Sequence, residues 1–154
     1  MSTSTRRRVL AAVVLPLGVL AIVIGSSSAA NAAVIIGTAA GDTLTGGPGN
    51  DLILGLGGAD TIRGGGGNDV VYGGSGSDVI LGGDGDDALY GESGSDSLQG
   101  EAGDDALFGG SENDDLFAGS GNDALFGDGG FDRCFGGPGF DFLAAPPSCE
   151  ELTQ

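Results

Sequence analysis

A chain of 154 residues has the length of one domain, and 34 of them are glycine against two tyrosines and no tryptophan, which leaves little from which to build a conventional compact core. Its 22 acidic residues face five arginines, with no lysine and no histidine, and three of those arginines (Arg6, Arg7 and Arg8) stand at the start. The remainder is strongly acidic, a surface that repels nucleic acid and anionic membrane and attracts cations.

Residues 1–32 read as a signal peptide: a basic TRRR, an apolar run over 9–24, then SSSAANA with small residues at Ala30 and Ala32, predicting cleavage after Ala32. An uncleaved membrane anchor is the alternative, since the apolar run is close to the roughly 17 residues of a short span. TRRRVL also resembles the opening of a twin-arginine signal, which implies export after folding. No later segment is apolar enough to span a membrane, so the mature chain is expected to be secreted and extracellular. Its two cysteines, Cys134 and Cys149, suit an oxidising compartment.

AVII, residues 33–36, reads as an opening strand. From Gly37 to Ala144 the chain then repeats with a period of nine, in twelve units without insertion. The sixth place is always aspartate: Asp42, Asp51, Asp60, Asp69, Asp78, Asp87, Asp96, Asp105, Asp114, Asp123, Asp132 and Asp141. The eighth is always apolar, from Leu44 and Ile53 through Cys134 to Leu143. A unit reads as a glycine-rich turn of six residues and a strand of three, whose middle side chain points one way because strand side chains alternate. Each unit is a half-turn of a coil, so units two apart stack at about 4.8 Å, the strand spacing. The predicted fold is all-β: a parallel β-solenoid with two sheets, six turns and a thin ladder of Leu, Ile and Val between them.

Stacking also makes two columns of aspartate, one per edge. Two unit charges a few ångströms apart repel by about 1 kcal/mol in bulk water and by several at an effective dielectric near 20, so the columns call for a counterion. Calcium suits them, because it takes six to eight oxygens from carboxylates and backbone carbonyls in a flexible shell. The turn glycines expected to supply carbonyls are Gly46, Gly47, Gly49, Gly64, Gly65, Gly67, Gly73, Gly74, Gly76, Gly82, Gly83, Gly85, Gly136, Gly137 and Gly139. Glycine tolerates positive φ and so lets the turn aim those carbonyls inward. Magnesium demands tighter octahedral geometry, and zinc prefers nitrogen and sulfur ligands that the chain almost wholly lacks. Pairing of units two apart allows at most about ten inter-turn ions.

GGPGNDLIL, GGGGNDVVY, GGSGSDVIL and GGDGDDALY all follow G-G-x-G-x-D-x-U-x, and over residues 37–144 the chain resembles a free-standing RTX (repeats-in-toxin) calcium-binding protein. The resemblance implies a parallel β-roll with calcium between turns. RTX repeats accompany secreted proteases, lipases and toxins, but no catalytic domain fits here. GTAAGDTLT and GGSENDDLF, with Glu112 for glycine, depart most from the pattern, beside Asp42 and Asp114. Glu92, Glu101 and Asp128 replace the second glycine, as added ligands or as tolerated substitutions. The calcium-free chain is expected to be disordered, with metal binding coupled to folding at roughly 10⁻⁴ to 10⁻³ M.

The tail over 145–154 is expected to cap the last turn through a Cys134–Cys149 disulfide; two free thiols are the alternative. One outer face carries Leu52, Leu54, Val70, Tyr72, Ala88, Tyr90, Ala106, Phe108, Ala124 and Phe126, the other mostly polar residues such as Thr43, Thr45, Thr61, Arg63, Ser97, Gln99, Asp115 and Arg133. The apolar face is either a contact surface for self-association or a cell-surface partner, or an aromatic ladder that only stiffens the sheet. Three outward threonines are too few for an ice-binding array. Catalysis is not expected, because there is no histidine and the adjacent acids Asp86–Asp87, Asp104–Asp105 and Asp114–Asp115 are read as turn residues without a cleft.

Overall fold

The computed structural model describes residues 32–144, Cys149 and residues 151–153. The expected leader, apart from Ala32, and the greater part of the tail lie outside the described residues.

Fourteen strands follow one another: β1 (Val34–Ile36), β2 (Thr43–Pro48), β3 (Leu52–Gly57), β4 (Thr61–Gly66), β5 (Val70–Ser75), β6 (Val79–Asp84), β7 (Ala88–Ser93), β8 (Ser97–Ala102), β9 (Ala106–Ser111), β10 (Asp115–Ser120), β11 (Ala124–Gly129), β12 (Arg133–Phe135), β13 (Phe142–Leu143) and β14 (Glu151–Thr153). Odd-numbered strands form one seven-stranded sheet and even-numbered strands the other, each in sequence order. Every pair is parallel with a register of 18 residues, so that Val71 lies between Ile53 and Leu89. The eighth-place side chains from Ile35 to Cys134 are at most 3 % exposed and form one continuous core between the sheets. The parallel solenoid read from the period of nine is the fold.

The expected division of the unit into a turn of six and a strand of three needs correction. Strands β2 to β11 are six residues long, because the second and third places of the next unit pair as well, as in Gly47↔Gly65 and Pro48↔Gly66. Only the first place, such as Gly46, drops out of the pairing as the strand rounds the corner. With no side chains to hold them apart, stacked glycine backbones stay within hydrogen-bonding reach around the bend. What remains between strands is a turn of three residues, for example 49–51, ending on the aspartate.

The sheet of even-numbered strands continues past the twelfth unit. β14 pairs with β12 in the 18-residue register, Arg133↔Glu151, Cys134↔Leu152 and Phe135↔Thr153, which puts Leu152 in line with the eighth places. In sequence the stretch 145–153, APPSCEELT, has glutamate instead of aspartate at its sixth place and no glycine, which hid it from the pattern. Cys134 and Cys149 form a disulfide, Cα–Cα 5.7 Å, and both are fully buried.

On the odd sheet Tyr72, Tyr90, Phe108 and Phe126 stack face to face with centroids 4.7, 4.8 and 4.9 Å apart, and Phe142 joins at 5.6 Å with a tilt. The even sheet is less polar than its threonines suggest, since Val79, Leu81, Phe117 and Phe135 also face outward and the last two stack at 4.9 Å. Asp115 is not a turn residue: it opens β10, and its carboxylate is paired with the Arg133 guanidinium on the neighbouring strand.

Candidate metal centre

Each three-residue turn ends on its aspartate just before the next strand, which turns that side chain back into the roll. The first eleven of the twelve, Asp42 to Asp132, are at most 4 % exposed. One carboxylate oxygen is used by the protein itself: Asp60 Oδ1 accepts from the Asp42 N–H at 2.7 Å, Asp69 Oδ1 from Asp51 N–H at 2.7 Å, and the series continues to Asp141 Oδ1, which accepts from Asp123 N–H at 3.1 Å. The columns are therefore hydrogen-bonded ladders as well as stacks of charge.

The other oxygen has no donor. Oδ2 of Asp60, Asp69, Asp78, Asp87, Asp96, Asp105, Asp114 and Asp123 is buried without a hydrogen-bond partner. Leaving a buried acceptor unpaired costs about 1–3 kcal/mol, and more for a charged one. Eight of them together rival the roughly 5–15 kcal/mol by which a whole domain is stable. Burial accordingly pushes these carboxyls up, assisted by neighbouring acids and opposed by the ladder hydrogen bond: Asp69, Asp87 and Asp96 to about 6, Asp105 and Asp114 to about 7. For Asp105 the other charges that raise it are those of Asp87 and Asp123, its neighbours in the column, and of Asp86 on the exposed side of the turn.

The first-place glycine explains where the spare oxygen lies. A methyl carbon on Gly55 would sit 2.5 Å from Asp60 Oδ2, and it would also strike the carbonyl oxygen of Gly73 one full turn on. The same two kinds of oxygen, the unit's own Oδ2 and the carbonyl 18 residues later, crowd the missing Cβ in units along both columns, among them those of Gly64, Gly91 and Gly100. This small oxygen-lined recess suits a hard cation such as calcium. Among the described residues no three acidic side chains converge on one point, so such an ion would draw most of its oxygens from the main chain.

Glycines at the second and fourth places have a different duty. Gly47, Gly65, Gly74, Gly83 and Gly137 at the second place, and Gly49, Gly67, Gly76, Gly85 and Gly139 at the fourth, all have positive φ, whereas Gly46, Gly64, Gly73, Gly82 and Gly136 at the first place do not and are needed for space. The non-glycine residues at these bends, Leu56, Glu92, Glu101, Glu112 and Asp128, are held at φ between 68° and 80°. Glu112 faces its neighbouring turn rather than the column, its Oε2 accepting from Gly94 N–H at 2.8 Å and from the Ser111 hydroxyl at 2.9 Å. At the first unit Thr38 supplies the donors missing elsewhere: its N–H and hydroxyl donate to Asp42 Oδ2 at 2.6 and 2.9 Å, and the unpaired oxygen there is Oδ1.

Sequence reasoning missed a second ladder outside the first. Fifth-place side chains accept from the N–H one turn later, the reverse polarity of the inner ladder: Asn50 from Asn68 at 3.0 Å, Asp86 from Asp104 at 3.0 Å, Asp104 from Asn122 at 2.8 Å. The signal was present, since the fifth place is Asn, Asp or Ser in eight of the twelve units. Asp86 and Asp104 belong to this exposed ladder.

Two parallel sheets wound from nonapeptides, with a buried aspartate ladder along each edge, define a parallel β-roll. The model of the RTX calcium-binding nonapeptide repeat, four copies long, matches residues 36–71, 45–80, 54–89, 81–116 and 108–143. The chain belongs to this family and is a calcium-binding β-roll protein. No curated protein shows significant similarity to it.

Proposed function

We propose that the chain is a secreted protein whose β-roll folds on binding calcium, with the twelve sixth-place aspartates and the turn-glycine carbonyls as ligands. The observation that carries this reading is the row of buried Oδ2 atoms without a donor. Bound calcium supplies the positive charge that such oxygens lack. The protein's part is to hold Oδ1 of the aspartates after Asp42 by a main-chain N–H, so that Oδ2 is left facing the recess and the neighbouring carbonyl. Stability then comes from ion binding to the folded state alone. Millimolar extracellular calcium and a cleaved leader over 1–32 fit this order of events, and no catalytic role is part of it.

The test is a calcium titration of the chain from Ala33, followed by far-UV circular dichroism, with magnesium as control. A coil-to-β transition near millimolar calcium, absent with magnesium, is expected; a chain fully folded in chelator at neutral pH contradicts the reading. A second reading, an extracellular structural or adhesive protein in which calcium only stabilises the fold, is favoured by the stacked apolar face of the odd sheet. Retention on the cell surface through a calcium-containing wash distinguishes the second reading from the first.

A further inference from the structure

Eleven of the twelve first places are glycine, and the exception is Ala118. Its backbone follows the common path: Phe117 pairs with Gln99 and Gly119 with Glu101, with Ala118 unpaired at the corner like every other first-place residue. Its carbonyl also stands where a first-place carbonyl should, 2.5 Å from the position a methyl would take on Gly100. The Cβ of residue 118 is therefore directed as the missing Cβ of its glycine counterparts would be, toward its own unit's Asp123 carboxylate and the carbonyl one turn on, that of Gly136. Ala118 is fully buried, and Asp123 Oδ2 is buried without a hydrogen-bond partner.

We infer that the Ala118 methyl occupies the recess that glycine leaves open elsewhere and thereby closes the cation site between Asp123 and the Gly136 turn. This rests on the calcium reading above and makes Asp123 the exception among its twelve aspartates. A methyl group and a cation cannot share a space bounded by oxygens at van der Waals contact, and alanine adds no ligand in exchange. The row of ions along that edge then ends one turn early, before the terminal turns that the disulfide fastens covalently. Asp123 keeps its ladder duty, since its Oδ1 accepts from Asp105 N–H at 2.8 Å whether or not an ion is present.

The experiment counts bound calcium per chain by equilibrium dialysis at saturating calcium, for the natural protein, Ala118→Gly, Asp123→Asn and the double variant. Ala118→Gly is expected to bind one more ion than the natural chain. Asp123→Asn, in which Asn still offers Oδ1 to the ladder, is expected to abolish the gain in the Ala118→Gly background. An unchanged count in Ala118→Gly, or a gain that survives in the double variant, overturns the proposal and leaves calcium binding by the other turns standing. A natural chain that binds no calcium overturns both.

Discussion

At the residue scale the roll is a contest between buried carboxylates and their surroundings, and pH decides it when metal is withheld. Burial pushes Asp69, Asp87 and Asp96 up to about 6 and Asp105 and Asp114 up to about 7 in the fold, against 3.8 for a free aspartate. A folded-state pKa above the unfolded one means that the folded chain holds more protons in this window, so this contribution to stability is complete below about 4 and lost as pH rises through 6 to 7. In chelator the chain is expected to gain β-sheet signal on acidification from about pH 8 to about pH 4.5, read by circular dichroism. With calcium the trend reverses, because protons compete with the ion for the same oxygens and its affinity falls in acid. No acid-induced folding in chelator would mean that the buried carboxylates are tolerated ionised.

Backbone strain at single residues gives a second prediction. A non-glycine residue in the left-handed region costs about 1–2 kcal/mol, partly offset by the extra entropy glycine loses on folding. Glu92→Gly, Glu101→Gly and Leu56→Gly, which relax φ of 73°, 80° and 78°, should each stabilise the calcium-loaded protein by roughly 0.5–1 kcal/mol in thermal denaturation. Glu112→Gly should gain less, since it also gives up the acceptor for Gly94 N–H. These positions mark the limit of legibility at this scale. The aspartate column was readable because every unit repeats it, but Leu56 and Ala118 look harmless one at a time, and only the φ of one and the blocked recess of the other give them meaning.

At the scale of the element, the odd sheet's outer face is bound together by side chains that the sequence placed correctly but left with two uses. Half-burial and parallel rings show that Tyr72, Tyr90, Phe108 and Phe126 spend much of their surface on each other. Each stack is worth about 0.5–1.5 kcal/mol beyond area burial. Phe108 stacks with both Tyr90 and Phe126, whereas Tyr72 has one described ring partner. Phe108→Ser should therefore lower stability about twice as much as Tyr72→Ser, measured by urea unfolding at fixed calcium. Equal losses would mean that the rings act only through their area. The strands themselves were underestimated at half their length, because glycine-rich places read as turn when propensity is the guide, whereas glycine here lets two backbones pair around a corner.

At the scale of the whole molecule, a solenoid's stability is close to a sum of neighbouring-turn terms, so what matters is how its ends are closed. The last full turn would present the edge of β12 to solvent, and β14 covers that edge with three residues in register. Three residues at the end of a chain hold weakly alone, and no glycine turn precedes them. The Cys134–Cys149 bond supplies the fastening, closing a separation of 15 residues, which in the chain-entropy model stabilises by about 3 kcal/mol. Because that energy enters at one end of a nearest-neighbour array, reduction should not melt the roll evenly. With calcium present, a thiol reductant is expected to speed amide hydrogen exchange in β14, β12 and then β10, while β3 to β7 keep the protection of the oxidised protein. A uniform rise along the chain would instead mean that the turns unfold as one cooperative unit, in which case the bond at the last turn holds the first turn as firmly as its own.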